Sequence, residues 1–117
     1  MAQKVADGIT KEILRAGSGD KPKVGQKITV HCTGSLSGNP PKKFWSTRDP
    51  GQKEFTFKVG LNEVIEGWDV GCLTMQKGEL AKLTIRGDKA YGSRGFRAWG
   101  IGPNAELIFE IEMLRFE

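Results

Sequence analysis

Four stretches of the chain alternate apolar and polar residues with the two-residue period of an extended strand. Ile28, Val30 and Cys32 share one face, with Thr29, His31 and Thr33 opposite. Phe55, Phe57 and Val59 alternate with Thr56 and Lys58, and Ala81, Leu83 and Ile85 with Lys82, Thr84 and Arg86. Leu107, Phe109, Ile111 and Met113 alternate with Ile108, Glu110 and Glu112. Such strands belong to an antiparallel sheet with one buried and one wet face. A less regular strand over residues 9–14 fits a bulge, and Gly17, Gly19, Pro22 and Gly25 punctuate the turn after it. Residues 1–8 are polar and are expected to fray.

One segment breaks the alternation. Between Asn62 and Leu73, the residues Ile65, Trp68, Cys72 and Leu73 recur at helical spacing. Asn62 reads as the N-cap, Glu63 and Glu66 suit the positive end of the helix, and Gly71 falls near its close. Gly67 disfavours the helix interior, so packing rather than propensity must hold it. This helix is the one candidate to cover the apolar face of the sheet. The expected architecture is α+β, a twisted antiparallel half-barrel of about five strands wrapped over one short helix. No linker, repeat or low-complexity tract divides the 117 residues, which read as a single domain over residues 1–117.

Composition agrees with this. The 16 glycines are about twice the usual share, as expected for short strands joined by many turns. Net charge is +4, a mild excess that favours solubility. No apolar run approaches the roughly 18 residues of a membrane helix, and the N-terminal segment has no apolar core of a signal peptide. Cys32 and Cys72 lack metal-type spacing and read as free thiols, so a cytoplasmic address with nuclear access is expected.

The usual catalytic groups are missing. His31 is the sole histidine, with no nucleophile and second base to pair with it, and ligands for a metal are too sparse. No phosphate loop is spelled, Glu110 and Glu112 read as solvated charge, and Arg86-Gly87-Asp88 matches an adhesion tripeptide by coincidence. Lys82, Arg86, Lys89, Arg94 and Arg97 form a basic run, but no base-reading motif accompanies it, so no nucleic-acid partner is expected. What remains is aromatic. Of the ten aromatic residues, Phe44, Trp45, Phe96 and Trp99 lie in Gly-, Pro-, Lys- and Arg-rich segments where core packing alone does not call for large rings. Such rings above a sheet can build a concave apolar pocket.

Five motifs sharpen this reading: Val30-His31-Cys32-Thr33-Gly34, Lys43-Phe44, Val64-Ile65-Glu66-Gly67-Trp68, Ala90-Tyr91-Gly92, and the run from Leu107 to Glu112. In this order and spacing they resemble the FKBP-type peptidyl-prolyl cis-trans isomerases, the macrolide-binding immunophilins. The likeness spans residues 9–117, and the Phe44-Trp45-Ser46 and Ala98-Trp99-Gly100-Ile101 variants are similar to plant-type single-domain members.

The resemblance implies a hydrophobic pocket with Trp68 as its floor and Phe44, Phe55 and Phe109 as walls, joined by Val64, Ile65 and Ile101. Tyr91 would donate its hydroxyl hydrogen at the rim, the Ile65 N–H would offer another donor, the Glu63 carbonyl would face the ligand, and Phe96 would lie on the closing loop. Tyr91, Trp68 and Phe109 would then carry catalysis. Two positions depart from the common pattern: Cys32 replaces a Tyr, and Trp45 replaces an Asp after the pocket Phe. Implied too are a cofactor-free isomerase acting on prolyl peptides or protein clients, binding of rapamycin- or tacrolimus-type macrolides, and a composite surface for a kinase or phosphatase. The alternative is an adaptor module whose turnover is incidental, and monomer is the expected state.

Overall fold

The computed structural model describes residues 2–38 and 40–117. The strands are β1 (Ala2–Ala6), β2 (Ile9–Arg15), β3 (Lys27–Leu36), β4 (Lys42–Ser46), β5 (Phe55–Lys58), β6 (Leu80–Ile85) and β7 (Leu107–Phe116). The helix α1 (Glu66–Cys72) enters between β5 and β6. One sheet holds all seven strands in the order β1-β2-β6-β7-β3-β4, with β5 paired to β3 beside the main path. Every pairing is antiparallel.

Two corrections to the sequence reading follow. Residues 2–6 do not fray: Gln3 pairs with Lys11 and Lys4 with Thr10, which makes them an edge strand. The sheet has seven strands rather than about five, since β1 and β4 add edges that carry little apolar alternation. The irregularity expected in the second strand is present as a register shift between Ile13 and Arg15.

The apolar face forms the core. Ile28, Val30, Cys32, Leu83, Ile85, Phe109 and Ile111 are all buried, and α1 lies across them through Trp68 and Cys72. Gly67 explains how so short a helix comes so close. A Cβ there would sit 2.5 Å from Ile85 Cδ1, so only glycine allows the helix backbone to rest on the β6 side chains. The residue that weakens the helix locally is the one that lets it pack.

Asn62 is not the N-cap. The cap position is Ile65, which provides no side-chain hydrogen bond. Asn62 instead occupies the left-handed region at φ 62°, a conformation that Asn tolerates better than most residues. The relation of side chain to backbone is reversed from the expected one. Asp69, buried within α1, accepts hydrogen bonds from the Gly60 N–H and the Asn62 N–H, each at 2.8 Å. The helix thereby holds the loop that leads to Glu63, Val64 and Ile65.

A second buried polar device joins β2 to the turn before β6. Lys11 Nζ lies 2.8 Å from Glu79 Oε2 and donates to the Thr74 carbonyl at 3.0 Å. Both side chains are almost fully enclosed, so each charge depends on the other.

Candidate functional site

The concave side of the sheet and the start of α1 enclose an open cavity of about 390 Å3. Its lining is Trp45, Phe55, Glu63, Val64, Ile65, Trp68, Tyr91, Trp99 and Phe109. That volume lies within the roughly 300–1,000 Å3 typical of small-molecule sites.

Trp68 lines the cavity and is only 3% exposed. Phe109 stands perpendicular to it at 5.2 Å and Phe55 nearly so at 5.8 Å, the edge-to-face geometry that aromatic quadrupoles favour. The strand register builds this. Leu83 and Gly34 flank Phe109 on either side in β6 and β3, and a Cβ at Gly34 would sit 2.7 Å from both Phe109 Cε1 and Phe44 Cζ. Glycine at that place makes room for the two rings to meet edge-on at 5.8 Å. The indole Nε1 of Trp68 is buried and has no nitrogen or oxygen partner among the described residues.

The polar lining groups are few. Tyr91 is half-buried, and its hydroxyl donates to no described residue. Burial pushes its pKa up, which keeps the group a proton donor. The Ile65 N–H likewise has no partner among the described residues, while its carbonyl accepts from Trp68 and Asp69. Glu63 is the one charged lining residue, and its Oε1 is engaged by the Lys58 N–H at 2.9 Å. The cavity therefore offers an apolar bed with unpartnered hydrogen-bond donors among its lining residues.

Seven of the residues that the resemblance implies are gathered here: Phe55, Glu63, Val64, Ile65, Trp68, Tyr91 and Phe109. Phe44, Phe96 and Ile101 are not part of the lining. Phe44 stacks on Trp99 at 5.7 Å, Phe96 stacks on Tyr91 at 5.4 Å, and Ile101 is 2% exposed within the core. Trp45 takes the wall assigned to Phe44. In β4, Trp45 pairs with Gly34 and Lys43 with Ser35, so Phe44 is the extra residue of a bulge that turns Trp45 into the cavity. Trp99, which the resemblance does not place in the wall, completes it. Its signal was its setting, a large ring within a Gly- and Arg-rich loop.

The other expected positions are structural. Cys32 is 3% exposed inside the core and lines no part of this cavity. Burial pushes its thiol up to about 12 and raises that of Cys72 as well, and neither cysteine is bridged. His31 Nδ1 and the Cys32 N–H both meet the Thr47 hydroxyl at 2.9 Å. No group of three or more potential metal ligands is found among the described residues, and no helix is long and apolar enough to cross a membrane.

An antiparallel sheet wrapped over a short helix, with an aromatic cavity between them, is the architecture that the resemblance to the FKBP-type isomerases implies. The chain matches the family described as FKBP-type peptidyl-prolyl cis-trans isomerase over residues 18–114, and it belongs to that family. It is 58% identical over 109 residues to the peptidyl-prolyl cis-trans isomerase FKBP12 of Vicia faba, covering 92% of this chain and 97% of the relative. The Arabidopsis thaliana protein of the same name is 54% identical, with 92% and 96% covered. FK506-binding protein 1 of Dictyostelium discoideum is 45% identical, with 94% and 99% covered. The chain is an isomerase of this class.

Proposed function

We propose that the aromatic cavity seats the proline ring of a client and eases rotation about the preceding amide bond, with Trp68 beneath the ring and Phe55, Phe109 and Trp45 around it. The observation that carries this reading is the open, largely apolar hollow of about 390 Å3 with unpartnered donors among its lining residues.

The chemistry needs no nucleophile. Rotation about an X-Pro bond faces a barrier near 18–20 kcal/mol because the planar amide is resonance-stabilised. Twisting the bond localises the nitrogen lone pair and reduces the polarity of the amide. An apolar bed favours that twisted state over the planar one that water solvates well. Tyr91 and the Ile65 N–H hold client carbonyls while the bond turns. Each tenfold of acceleration requires about 1.4 kcal/mol of preference for the twisted state.

The same surface fits a rapamycin- or tacrolimus-type macrolide that presents a proline-like ring, so the drug competes with the client. We place the protein in the cytoplasm as a monomer whose clients are exposed prolyl segments. Exchange spectroscopy on a short prolyl peptide, with and without macrolide, tests the reading. Cis–trans exchange that accelerates at micromolar protein and is suppressed by the macrolide supports it. Acceleration that survives saturation of the cavity removes the cavity as its source.

A further inference from the structure

The basic run noted in the sequence is mostly neutralised in the fold. Lys82 pairs with Glu12 at 3.3 Å, Arg86 with Asp7 at 2.9 Å and also with Asp88, and Lys89 with Glu66 at 3.1 Å. Arg94 and Arg97 are different. Both are exposed, and neither has an ion pair or side-chain hydrogen bond among the described residues. They flank a groove of about 580 Å3 whose other walls include Ser93, Ile101 and Pro103.

One loop contributes residues both to this groove and to the prolyl cavity. Arg94 sits in the 3-10 turn Gly92–Arg94, which begins directly after the cavity residue Tyr91. Arg97 opens the 3-10 turn Arg97–Trp99, which ends at the cavity residue Trp99. The loop carrying them is fixed. Phe96 and Ile101 exchange backbone hydrogen bonds at 2.8 and 3.1 Å, and the Asn104 N–H donates to the Gly92 carbonyl at 2.8 Å. The backbone that carries the two arginines is thus braced, and it runs from the cavity residue Tyr91 to the cavity residue Trp99. An extended peptide advances about 3.3 Å per residue, so positions two or three from the proline lie about 7–10 Å from its ring.

We propose that the groove between Arg94 and Arg97 is a subsite for a negatively charged side chain of the client, two or three residues from the proline. The inference rests on the prolyl reading of the adjoining cavity. Two unpaired cations lining one groove match a carboxylate, with the Ser93 hydroxyl as a further donor. A nucleic acid would call for a broader basic stripe than two residues provide.

The test compares peptides carrying Glu or Gln two or three residues to either side of a Leu-Pro pair. Binding is read by tryptophan fluorescence and turnover by exchange spectroscopy. For the unaltered protein, one Glu peptide binds and turns over about three- to tenfold better than its Gln counterpart at low salt, and the ratio shrinks at high salt. The ratio falls to one in Arg94→Gln/Arg97→Gln and inverts toward a Lys peptide in Arg94→Glu/Arg97→Glu. It persists in Lys21→Gln/Lys23→Gln, which removes the same charge from an exposed segment outside both this groove and the prolyl cavity. A Glu preference absent everywhere, or lost equally in the lysine variant, overturns the subsite. So does arginine-dependent capture of a generic oligonucleotide in place of the Glu peptide. Since binding is read separately, a binding ratio without turnover sustains the subsite while refuting the catalytic role of the cavity.

Discussion

Trp45 and Trp99 lie face to face, 5.3 Å between ring centroids and 16° from parallel, although one belongs to β4 and the other to the loop before β7. Each also contacts further rings: Trp45 stands perpendicular to Phe55, and Trp99 stacks on Phe44 and stands nearly perpendicular to Phe96. An aromatic pair contributes about 0.5–1.5 kcal/mol beyond its buried area. Trp45→Ala and Trp99→Ala are each expected to weaken prolyl-peptide binding several-fold. The double variant should lose less than the sum of the two, because either change abolishes the stack. Fully additive losses in a fluorescence-independent binding assay would show that the rings act separately.

Tyr91→Phe removes a rim donor while leaving the ring that stacks on Phe96. A single hydrogen bond contributes about 0.5–1.5 kcal/mol, so kcat/KM is expected to fall about three- to tenfold with the fold unchanged. Because burial raises the Tyr91 pKa, the activity of the unaltered protein should not decline as pH passes the ordinary tyrosine value near 10. A decline centred there, absent from Tyr91→Phe, would contradict the assigned environment.

Gly67→Ala sets helix propensity against packing. Alanine favours a helix interior by about 1 kcal/mol relative to glycine. The added methyl would overlap Ile85, however, and overpacking costs about 1–3 kcal/mol. Net destabilisation in urea is therefore expected, with relief in the Ile85→Val background. A more stable Gly67→Ala protein would mean that α1 can lift from the sheet at little cost.

The Lys11–Glu79 pair should show a cycle of opposite extremes. Lys11→Met leaves a buried carboxylate without its cation, a loss of about 3–5 kcal/mol. Lys11→Met/Glu79→Leu removes both charges and should recover most of it. Equal single and double losses would indicate that the enclosed ion pair is not the source.

Alkaline stability follows from the two thiols. Cys32 is pushed up to about 12 and Cys72 is raised as well, both by burial, against an ordinary value near 9. The folded state keeps these protons after the unfolded chain has released them, so stability declines as pH rises above about 9. Cys32→Val should flatten that limb. Neither thiol should react with an alkylating reagent until the protein unfolds, since the thiolate is the reactive form.

Where a strand has one buried face, its sequence says so. Ile28, Val30 and Cys32 in β3 and Leu107, Phe109, Ile111 and Met113 in β7 fulfil the alternation, and all are buried. The edge strands were not legible, because β1 has no buried residue, β4 buries only Ser46, and neither places a regular apolar series in the core. The Phe44–Trp45 exchange was hidden for a different reason. Period-two alternation assigns neighbours to opposite faces, and a bulge suspends that rule at the very residues concerned. Asn62 misled because its tolerance of positive φ and its aptitude for capping belong to the same short amide side chain. Gly67 read as a defect because the sequence alone cannot show that Ile85 lies against it.

Asp69 follows directly after Trp68 in the chain and grips the stretch ahead of Val64. The base and one lip of the binding hollow are therefore welded through a single carboxylate. The aperture a client meets is shaped when the protein folds, and little reshaping is left for the encounter itself.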